Sequence, residues 1–286
     1  MSSLNDNDFE IKNTCPWCGH EEATYEYTGS YDCKVVRCKS CNIVYATKVL
    51  NIDGLAKYWK NYESEIHCVS EESNAKRAKM YQLEYDFIAK NLKPKSKILD
   101  IGCADGSFLD YFAKGGYECY GVEYGEEAAQ KASKKYKVYV GDFHKLDIDQ
   151  KFDLVIFRGT IQYLLEPKEY FKKAASLLNE DGLIYITSSP DAESYCFKLF
   201  KEKFTQPVAP TDRYAFNEKI LNDYFFSLGL GLVDSYHFYL ETPYRSDSDI
   251  DRVKAATKEY LETGSVSTRS PSFFGNMLTL VYRKFS

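Results

Sequence analysis

The chain has 286 residues, of which 44% are hydrophobic, so it can form a substantial core in one long domain or two modest ones. Its formal net charge of -5 argues against general nucleic-acid binding, which usually requires a basic face. The polar start MSSLNDNDFE differs from a signal peptide, and no run approaches the roughly 18 apolar residues of a membrane span. We therefore expect a soluble cytoplasmic protein whose nine cysteines remain mostly reduced.

Two pairs of cysteines near the start have the spacing of a zinc site. Cys15 and Cys18 form one Cys-x2-Cys knuckle, and Cys38 and Cys41 form another after nineteen intervening residues. Each knuckle directs two thiolates at one point, which suits tetrahedral zinc. The segment between them is typical of two short strands around a turn, so residues 1–50 resemble a zinc ribbon. A closed site with four thiolates predicts a structural metal.

Two alternatives exist for this module. The four cysteines can be unrelated buried thiols, or Cys33 or His20 can replace one of them as a ligand. Residues 1–70 hold seven Lys/Arg and ten Asp/Glu, whereas a ribbon that reads nucleic acid is expected to be positive.

Residues 51–94 are predicted to form helices that link the ribbon to the rest of the chain. Met80 and Phe87 recur at helical spacing, which predicts core positions. Tyr58 and Tyr62 lie one helical turn apart and share a face. These two tyrosines either close over a bound ligand or simply pack.

From Lys97 onward, strands and helices alternate. The predicted strands read KILDI, YECYGVE, KVYVGD, FDLVIFR, LIYITSS, LGLVDSYHFYL and GNMLTLVYRK. This order predicts an α/β fold with a doubly wound, Rossmann-like sheet of seven strands, mostly parallel and covered by helices on both faces. The last strand is expected to return antiparallel, at the edge. Ligands bind such sheets outside the carboxyl ends of the strands.

The turn GCADG, residues 102–106, follows the first of these strands. Its small residues allow the backbone to approach a ligand closely. The Gly-x-Gly-x-x-Gly spacing of dinucleotide sites is absent, and Asp105 places a negative charge where a pyrophosphate would bind. The turn therefore favours a cationic or zwitterionic ligand.

The next two strand ends carry groups that suit an adenosine. Glu123 ends the second strand, where an acid can accept hydrogen bonds from ribose hydroxyls. Asp142 and Phe143 follow the third strand, where they can hydrogen-bond and stack on adenine.

The order LDIGCADG, Glu123, GDF and FDLVIF resembles class I S-adenosylmethionine-dependent methyltransferases over roughly residues 95–238 and the terminal strand. The resemblance implies that Asp100 anchors the turn and reaches the donor's amino group through water or backbone. Ala104 departs from the usual central glycine, a change small enough for binding to survive. The cofactor-binding residues implied are Asp100, Gly102, Cys103, Ala104, Gly106, Glu123, Tyr124, Asp142, Phe143 and Arg158.

The acceptor side lacks a feature of many small-molecule methyltransferases, the Glu-His pair after the fourth strand. Gln162 and Tyr163 take those places. The candidate general bases are therefore His144, His237 and Tyr163. Arg158 either faces the ligand, binding donor or anionic acceptor, or lies at the surface.

Two insertions, near residues 190–215 and 241–273, are expected to build the acceptor pocket within a methyltransferase domain spanning residues 95–286. The first insertion contains Arg213. Their aromatic and arginine content suits a polar, phosphorylated or glycosylated small molecule. A ribbon ahead of such a domain also resembles a bacterial subfamily with members in sugar and secondary-metabolite pathways.

We therefore expect methyl transfer to a small-molecule acceptor, with a hydroxyl of a sugar or sugar-derived metabolite favoured. S-adenosylmethionine is the implied donor and zinc the implied structural metal, with neither nucleic acid nor membrane as a partner. The alternatives are an RNA or protein methyltransferase that uses the ribbon for recognition, and a non-catalytic S-adenosylmethionine-binding protein.

Overall fold

The computed structural model of the protein describes residues 4–60 and 70–285. The helices of this part are α1 (Ile52–Lys60), α2 (Glu71–Ala89), α3 (Leu109–Lys114), α4 (Glu126–Ala132), α5 (Pro167–Ser176), α6 (Tyr195–Phe200), α7 (Glu218–Ser227) and α8 (Asp249–Thr263). The strands are β1 (Phe9–Ile11), β2 (Ala23–Thr28), β3 (Lys34–Cys38), β4 (Val44–Ala46), β5 (Lys48–Leu50), β6 (Lys97–Ile101), β7 (Glu118–Glu123), β8 (Lys137–Val140), β9 (Phe152–Arg158), β10 (Leu178–Pro190), β11 (Tyr214–Ala215), β12 (Leu230–Tyr236) and β13 (Met277–Lys284). Across these ranges, no helix is both long and apolar enough to traverse a bilayer.

The main sheet has seven strands in the order β12-β13-β10-β9-β6-β7-β8. Strands β6 to β10 pair in parallel, and β13 runs antiparallel to both of its neighbours. The predicted fold class is therefore confirmed. The expectation that the last strand lies at the edge was wrong, because β13 pairs on both sides and leaves β12 at the edge.

The two central strands explain where a ligand can enter. The side chains of Ile98, Leu99 and residues 154–157 are fully buried, as expected for parallel strands covered on both faces. Strand order reverses between β6 and β9, since β7 and β8 continue on one side and β10 on the other. The loops that leave these two strands diverge, and this opens a crevice at their carboxyl ends.

A smaller sheet contains strands β2, β3 and β4 from the cysteine-containing segment of residues 1–50, which is called the ribbon below, and one strand from far along the chain. Its order is β11-β4-β3-β2, and β11 pairs antiparallel with β4 through Tyr214 opposite Tyr45. Arg37 of β3 strengthens the same junction, because its guanidinium forms an ion pair with Glu193 at 2.7 Å. The insertion that follows β10 is therefore part of the ribbon's sheet.

Trp17, between the two cysteines of the first knuckle, anchors the ribbon to the larger sheet's helices. Its ring packs edge-on against three aromatic rings. The centroid distances are 6.5 Å to Phe171 of α5, 5.6 Å to Phe216, which precedes α7, and 5.1 Å to Tyr224 of α7. Lys168 covers the ring at 4.9 Å. One hydrophobic core therefore contains residues of the ribbon, such as Cys15 and Trp17, together with residues of the larger sheet and its helices.

We expect Trp17→Ala to lower the free energy of unfolding by about 3–5 kcal/mol, the usual cost of truncating a buried tryptophan. Chemical denaturation monitored by circular dichroism measures it. Tyr25→Ala, at a side chain that is 58% exposed on the same ribbon, serves as the control and should change stability by less than about 1 kcal/mol. Equal effects of the two substitutions would show that the ribbon does not share the core.

Candidate active site

A cavity of about 1140 Å³ opens at the carboxyl ends of β6, β7, β8 and β9. Helices α1 and α2 cover it from one side through residues such as Trp59 and Tyr81. Gln206, Tyr244 and Phe273, from the two insertions, also line it. The cavity is thus placed where the reversal of strand order requires it.

The turn after β6 has the backbone conformation of a close ligand approach. Gly102 and Gly106 have φ angles of +78° and +81°, in the left-handed region that favours glycine. Ala104, between them, has a φ of +49°, which costs an alanine about 1–2 kcal/mol. A hydrogen bond of 2.9 Å from the Ala104 amide to Glu123 holds this conformation.

Cys103 fixes the turn against the neighbouring strand. Its side chain is buried on Gly121 of β7, where an added Cβ would lie 2.4 Å from the Cys103 sulfur. The amides of Gly102 and Cys103 both donate to the Val122 carbonyl, at 2.8 and 3.0 Å. Only glycine at position 121 leaves room for this packing.

Asp100 ends β6 beneath the turn and is 2% exposed. Its Oδ1 atom is buried and has no hydrogen-bond partner among the described residues, although the residue lines the cavity. Burial raises the pKa of this carboxyl to about 7; the charge of Arg158 lowers it, whereas Glu123 and Glu84 raise it further. A hydrogen-bond donor from a ligand, such as an ammonium group, would satisfy this buried oxygen.

The ends of β7 and β8 bring the predicted adenosine residues to the same cavity. The Glu123 carboxylate accepts the amides of Ala104 and Gly125, and Tyr124 lies in the wall beside it. Burial raises the pKa of Asp142, but the hydrogen bond from Tyr170 and the nearby His144 and Lys145 outweigh burial and lower it overall. Asp142 therefore stays ionised at neutral pH, and Phe143 lies buried next to it.

Arg158, at the end of β9, is held by a residue that the sequence analysis did not identify. Its Nε donates to Glu84 of α2 at 2.6 Å, and its guanidinium lies 4.4 Å from the centre of the Tyr81 ring. Glu84 is fully buried and also accepts hydrogen bonds from Thr187 and Ser188. One signal was available, because Glu84 lies four residues from both Met80 and Ile88, on the buried stripe of α2.

The acceptor side of the cavity is aromatic. Tyr163 lies in the wall, and the edge of Trp59 packs on its ring at a centroid distance of 5.4 Å. Tyr244 and Phe273 contribute stacked rings from the second insertion, 5.2 Å apart. Gln206 places a buried amide oxygen there, without a partner among the described residues.

The two histidines proposed as bases lie outside the cavity wall. His144 packs on Tyr170 and faces Asp142 at 3.3 Å. His237 follows β12 and faces Asp191 at 3.5 Å, and the hydrogen bond to that carboxylate raises its pKa. Among the candidate bases, only Tyr163 lines the cavity.

Other residues named around the acceptor side lie behind it or only partly beside it. Gln162 is buried and bonds to Gly159 and Ser189, so it supports the loop. Arg213 is 1% exposed and directs its guanidinium at the Leu50 carbonyl, away from the cavity. On α1, Trp59 and not Tyr58 lines the cavity, and Tyr62 lies outside the described residues.

The four knuckle cysteines converge. The sulfur atoms of Cys15, Cys18, Cys38 and Cys41 all lie within 4.8 Å of one another, and two of the pairs are 3.7 and 3.6 Å apart. Zinc bound by four thiolates at about 2.3 Å requires sulfur atoms about 3.8 Å apart, so the cluster fits this ion. Cys33 lies elsewhere, and its sulfur donates to the Lys48 carbonyl.

A profile of the methyltransferase domain matches residues 73–227, more than half of the chain. The protein belongs to this methyltransferase family. Juvenile hormone acid O-methyltransferase from Bombyx mori is 26% identical over 133 residues, which cover 41% of this chain and 48% of the relative. (S)-tetrahydroprotoberberine N-methyltransferase from Eschscholzia californica is 26% identical over 105 residues, 33% of this chain and 30% of that protein. The chain thus spans about half or less of the length of these curated relatives.

Solved structures show the same fold. An S-adenosylmethionine-dependent methyltransferase from Clostridium acetobutylicum superposes with a TM-score of 0.51 at 14% identity, over 81% of this chain and 99% of that one. Magnesium protoporphyrin IX methyltransferase from Synechocystis PCC 6803, solved with bound SAH, gives a TM-score of 0.50 at 16% identity, over 82% and 95%. At these identities the likeness shows the fold alone.

Gly121→Ala should weaken the binding of S-adenosylhomocysteine by tenfold or more, because the new methyl group displaces Cys103 and with it the turn. Calorimetric titration with S-adenosylhomocysteine measures the affinity. Adding Cys103→Ala removes the sulfur and should recover part of the loss, although its Cβ still lies 3.2 Å from the new methyl. Unchanged affinity in the single variant, or an additive loss in the double variant, would contradict this account of the turn.

Proposed function

We propose that the protein transfers the methyl group of S-adenosylmethionine to a hydroxyl of a small-molecule acceptor, a sugar or sugar-derived metabolite. The observation that carries the proposal is the buried Oδ1 of Asp100, which lines the cavity without a partner among the described residues. Below the turn of this fold, that atom suits the ammonium group of an amino acid moiety.

Charges around the turn suit the remainder of a zwitterionic donor. Arg158 lies close enough to Asp100 to affect its pKa, and among the described residues its only hydrogen bond goes from Nε to Glu84. The other guanidinium nitrogens are therefore suited to bind the donor's carboxylate. Glu123 would bind the ribose hydroxyls, and Asp142 with Phe143 would hold the adenine.

The enclosed acceptor side supports a small molecule. Aromatic rings of Trp59, Tyr163, Tyr244 and Phe273 line it, and such rings pack against the apolar faces of sugars. The unpartnered oxygen of Gln206 would accept a hydrogen bond from an acceptor hydroxyl. The curated relatives named above are O- and N-methyltransferases of small molecules.

The placement of the ribbon weighs against the RNA and protein alternatives. Trp17 is buried against α5 and α7, and β4 pairs with β11, so both features tie the ribbon to the catalytic domain. A ribbon whose tryptophan and strand are taken up by these contacts has a structural role in the domain.

Methyl transfer needs alignment more than covalent chemistry from the protein, since the bound sulfonium supplies an activated methyl group. The turn at residues 102–106 and the Asp100–Arg158 pair would fix the donor end. The aromatic wall would orient the acceptor and exclude water. Correct positioning of two reactants lowers the barrier by roughly 7–11 kcal/mol in favourable cases.

We also propose that Cys15, Cys18, Cys38 and Cys41 hold one structural zinc ion. Elemental analysis of freshly purified protein should then give one zinc per chain, and Cys38→Ser/Cys41→Ser should lose the metal and melt at a lower temperature. Cys33→Ser, at a buried cysteine outside the cluster, is the matched control and should retain full metal content. Metal-free wild-type protein would refute the zinc site.

Asp100→Asn should prevent donor binding and yet stabilise the ligand-free protein. The folded-state pKa of about 7 exceeds the ordinary value of 3.8, so the ligand-free fold loses stability as pH rises between these values. The stability advantage of the variant should therefore grow from pH 5 to pH 8, by up to about 3 kcal/mol. Chemical denaturation at both pH values and calorimetry with S-adenosylmethionine measure the two effects.

Asp234→Asn is the control, at a partly exposed aspartate of the edge strand β12 that pairs with Lys90 at 3.0 Å. It should bind the donor normally. Retained donor affinity in Asp100→Asn would refute the assignment of the donor site.

Transfer of a radiolabelled methyl group into fractionated host extract tests the reaction itself. The fractions are small molecules, glycans, RNA and protein. Label in small molecules or glycans would support the proposed acceptor class and provide the product for identification. Label in RNA or protein would overturn it, and intact donor binding with no label in any fraction would favour the non-catalytic alternative.

A further inference from the structure

Tyr163 is connected to a carboxylate that lies behind the cavity wall. Tyr163 lies within hydrogen-bonding reach of the side chain of Asp212, near the end of the first insertion, and lowers the pKa of that carboxyl. The backbone beside the two residues is joined by the hydrogen bond from the Arg213 amide to the Gln162 carbonyl. Tyr163 itself lines the cavity, whereas Asp212 does not. The tyrosine therefore stands between the cavity and the carboxylate, as a relay would.

Asp212 is held in place by its own turn. The Thr211 hydroxyl donates to its Oδ2 at 3.0 Å, and the Ala209 amide donates to its carbonyl at 2.9 Å. Burial raises the pKa of Asp212 to about 6, while the hydrogen bonds from Thr211 and Tyr163 lower it. A carboxylate with this pKa is ionised at neutral pH and is close to the range in which it can take up a proton.

The segment that carries Asp212 is clamped between two parts of the protein. The Arg213 amide donates to the Gln162 carbonyl at 2.8 Å, beside Tyr163. The Ala46 amide of the ribbon donates to the Arg213 carbonyl at 3.0 Å, where β11 begins its pairing with β4. The ribbon thereby fixes the distance between Asp212 and the loop that carries Tyr163.

We propose that Tyr163 and Asp212 form a proton relay that deprotonates the acceptor hydroxyl, with Tyr163 as the catalytic residue and Asp212 as the positioning residue that receives the proton. The inference rests on the proposed function, because it requires an acceptor hydroxyl. It assigns a role to Asp212 and a replacement for the histidine that many small-molecule methyltransferases carry.

Methyl transfer forms a bond between the acceptor oxygen and the methyl carbon and breaks the carbon–sulfur bond, whose electron pair stays on sulfur. The acceptor proton passes to the Tyr163 oxygen while the Tyr163 proton passes to Asp212. Asp212 then releases that proton to solvent after the product leaves. No tyrosinate needs to accumulate, because Tyr163 gains one proton as it loses another.

The pKa of Asp212 depends on burial and on two neighbouring side chains. Tyr163 and Thr211 are the side chains that shift the pKa of Asp212 within the described chain, apart from burial. The neighbouring Arg213 directs its guanidinium at Leu50 and at Glu10, 3.7 Å away. On the cavity side, the Tyr163 ring packs against Trp59, which is uncharged. The proton of Asp212 is therefore the one that a probe on Tyr163 should detect.

The first test does not depend on turnover. With 3-fluorotyrosine at position 163, the ¹⁹F chemical shift should follow a single titration with a midpoint near pH 6. The titration should disappear in Asp212→Asn and persist in the control Asp234→Asn. A flat response in the otherwise wild-type protein, or a titration that survives Asp212→Asn, would overturn the relay.

The second test follows label transfer from S-adenosylmethionine into the small-molecule fraction of host extract. Wild-type transfer should fall about tenfold from pH 7 to pH 5, as Asp212 becomes protonated. Tyr163→Phe and Asp212→Asn should lose about a hundredfold or more in rate while binding S-adenosylmethionine with unchanged Kd. Tyr163→His should recover activity, and Tyr25→Phe, on the exposed face of the ribbon, should change nothing.

The outcomes separate the two proposals. Full activity in Tyr163→Phe would overturn the relay and leave the methyltransferase proposal intact. Absence of wild-type transfer into small molecules would overturn the proposed acceptor class, and the ¹⁹F titration would still decide whether Tyr163 and Asp212 share a proton. Loss of donor binding in both variants would assign these residues to the donor site and refute the relay.

Discussion

The cavity depends on one buried carboxylate, Glu84. Its side chain projects from α2 and accepts hydrogen bonds from Arg158, Thr187 and Ser188, so it connects the helix to the ends of β9 and β10. An unpaired charge at a fully buried position would be strongly destabilising, which makes all three donors necessary. Because Glu84 orients Arg158, the cover of the cavity and the charge within it are set by the same contact.

The ribbon has a structural role that extends beyond its own cysteines. The sulfur atoms of its four knuckle cysteines lie close together, and Trp17 in the first knuckle packs on α5 and α7. Strand β4 pairs with β11, and the Arg213 amide just before β11 donates to Gln162 in the loop that carries Tyr163. Strands β4 and β11, which lie about 170 residues apart in the sequence, thus pair beside the acceptor side, and such a non-local pairing raises the contact order of the fold.

The sequence predicts well what depends on local pattern. Strands β6 to β9 are apolar runs bounded by turns, so the position of Asp100 and Glu123 at carboxyl ends of strands follows from periodicity and topology. The role expected of Asp100 came from the resemblance to the methyltransferase family. Glu84 and Asp212 were missed because their roles come from partners on distant elements. The two histidines were favoured by residue type, yet the packing of His144 on Tyr170 and of His237 beside Asp191 places them outside the cavity wall.

The buried position of Asp100 has a consequence for the energetics of donor binding. A carboxyl whose pKa is about 7 in the ligand-free protein is partly protonated at neutral pH. An ammonium group bound beside it favours the ionised form, so binding would expel a proton into the buffer. The heat of binding would then vary with the ionisation enthalpy of the buffer, and donor affinity would increase as the solution becomes more alkaline.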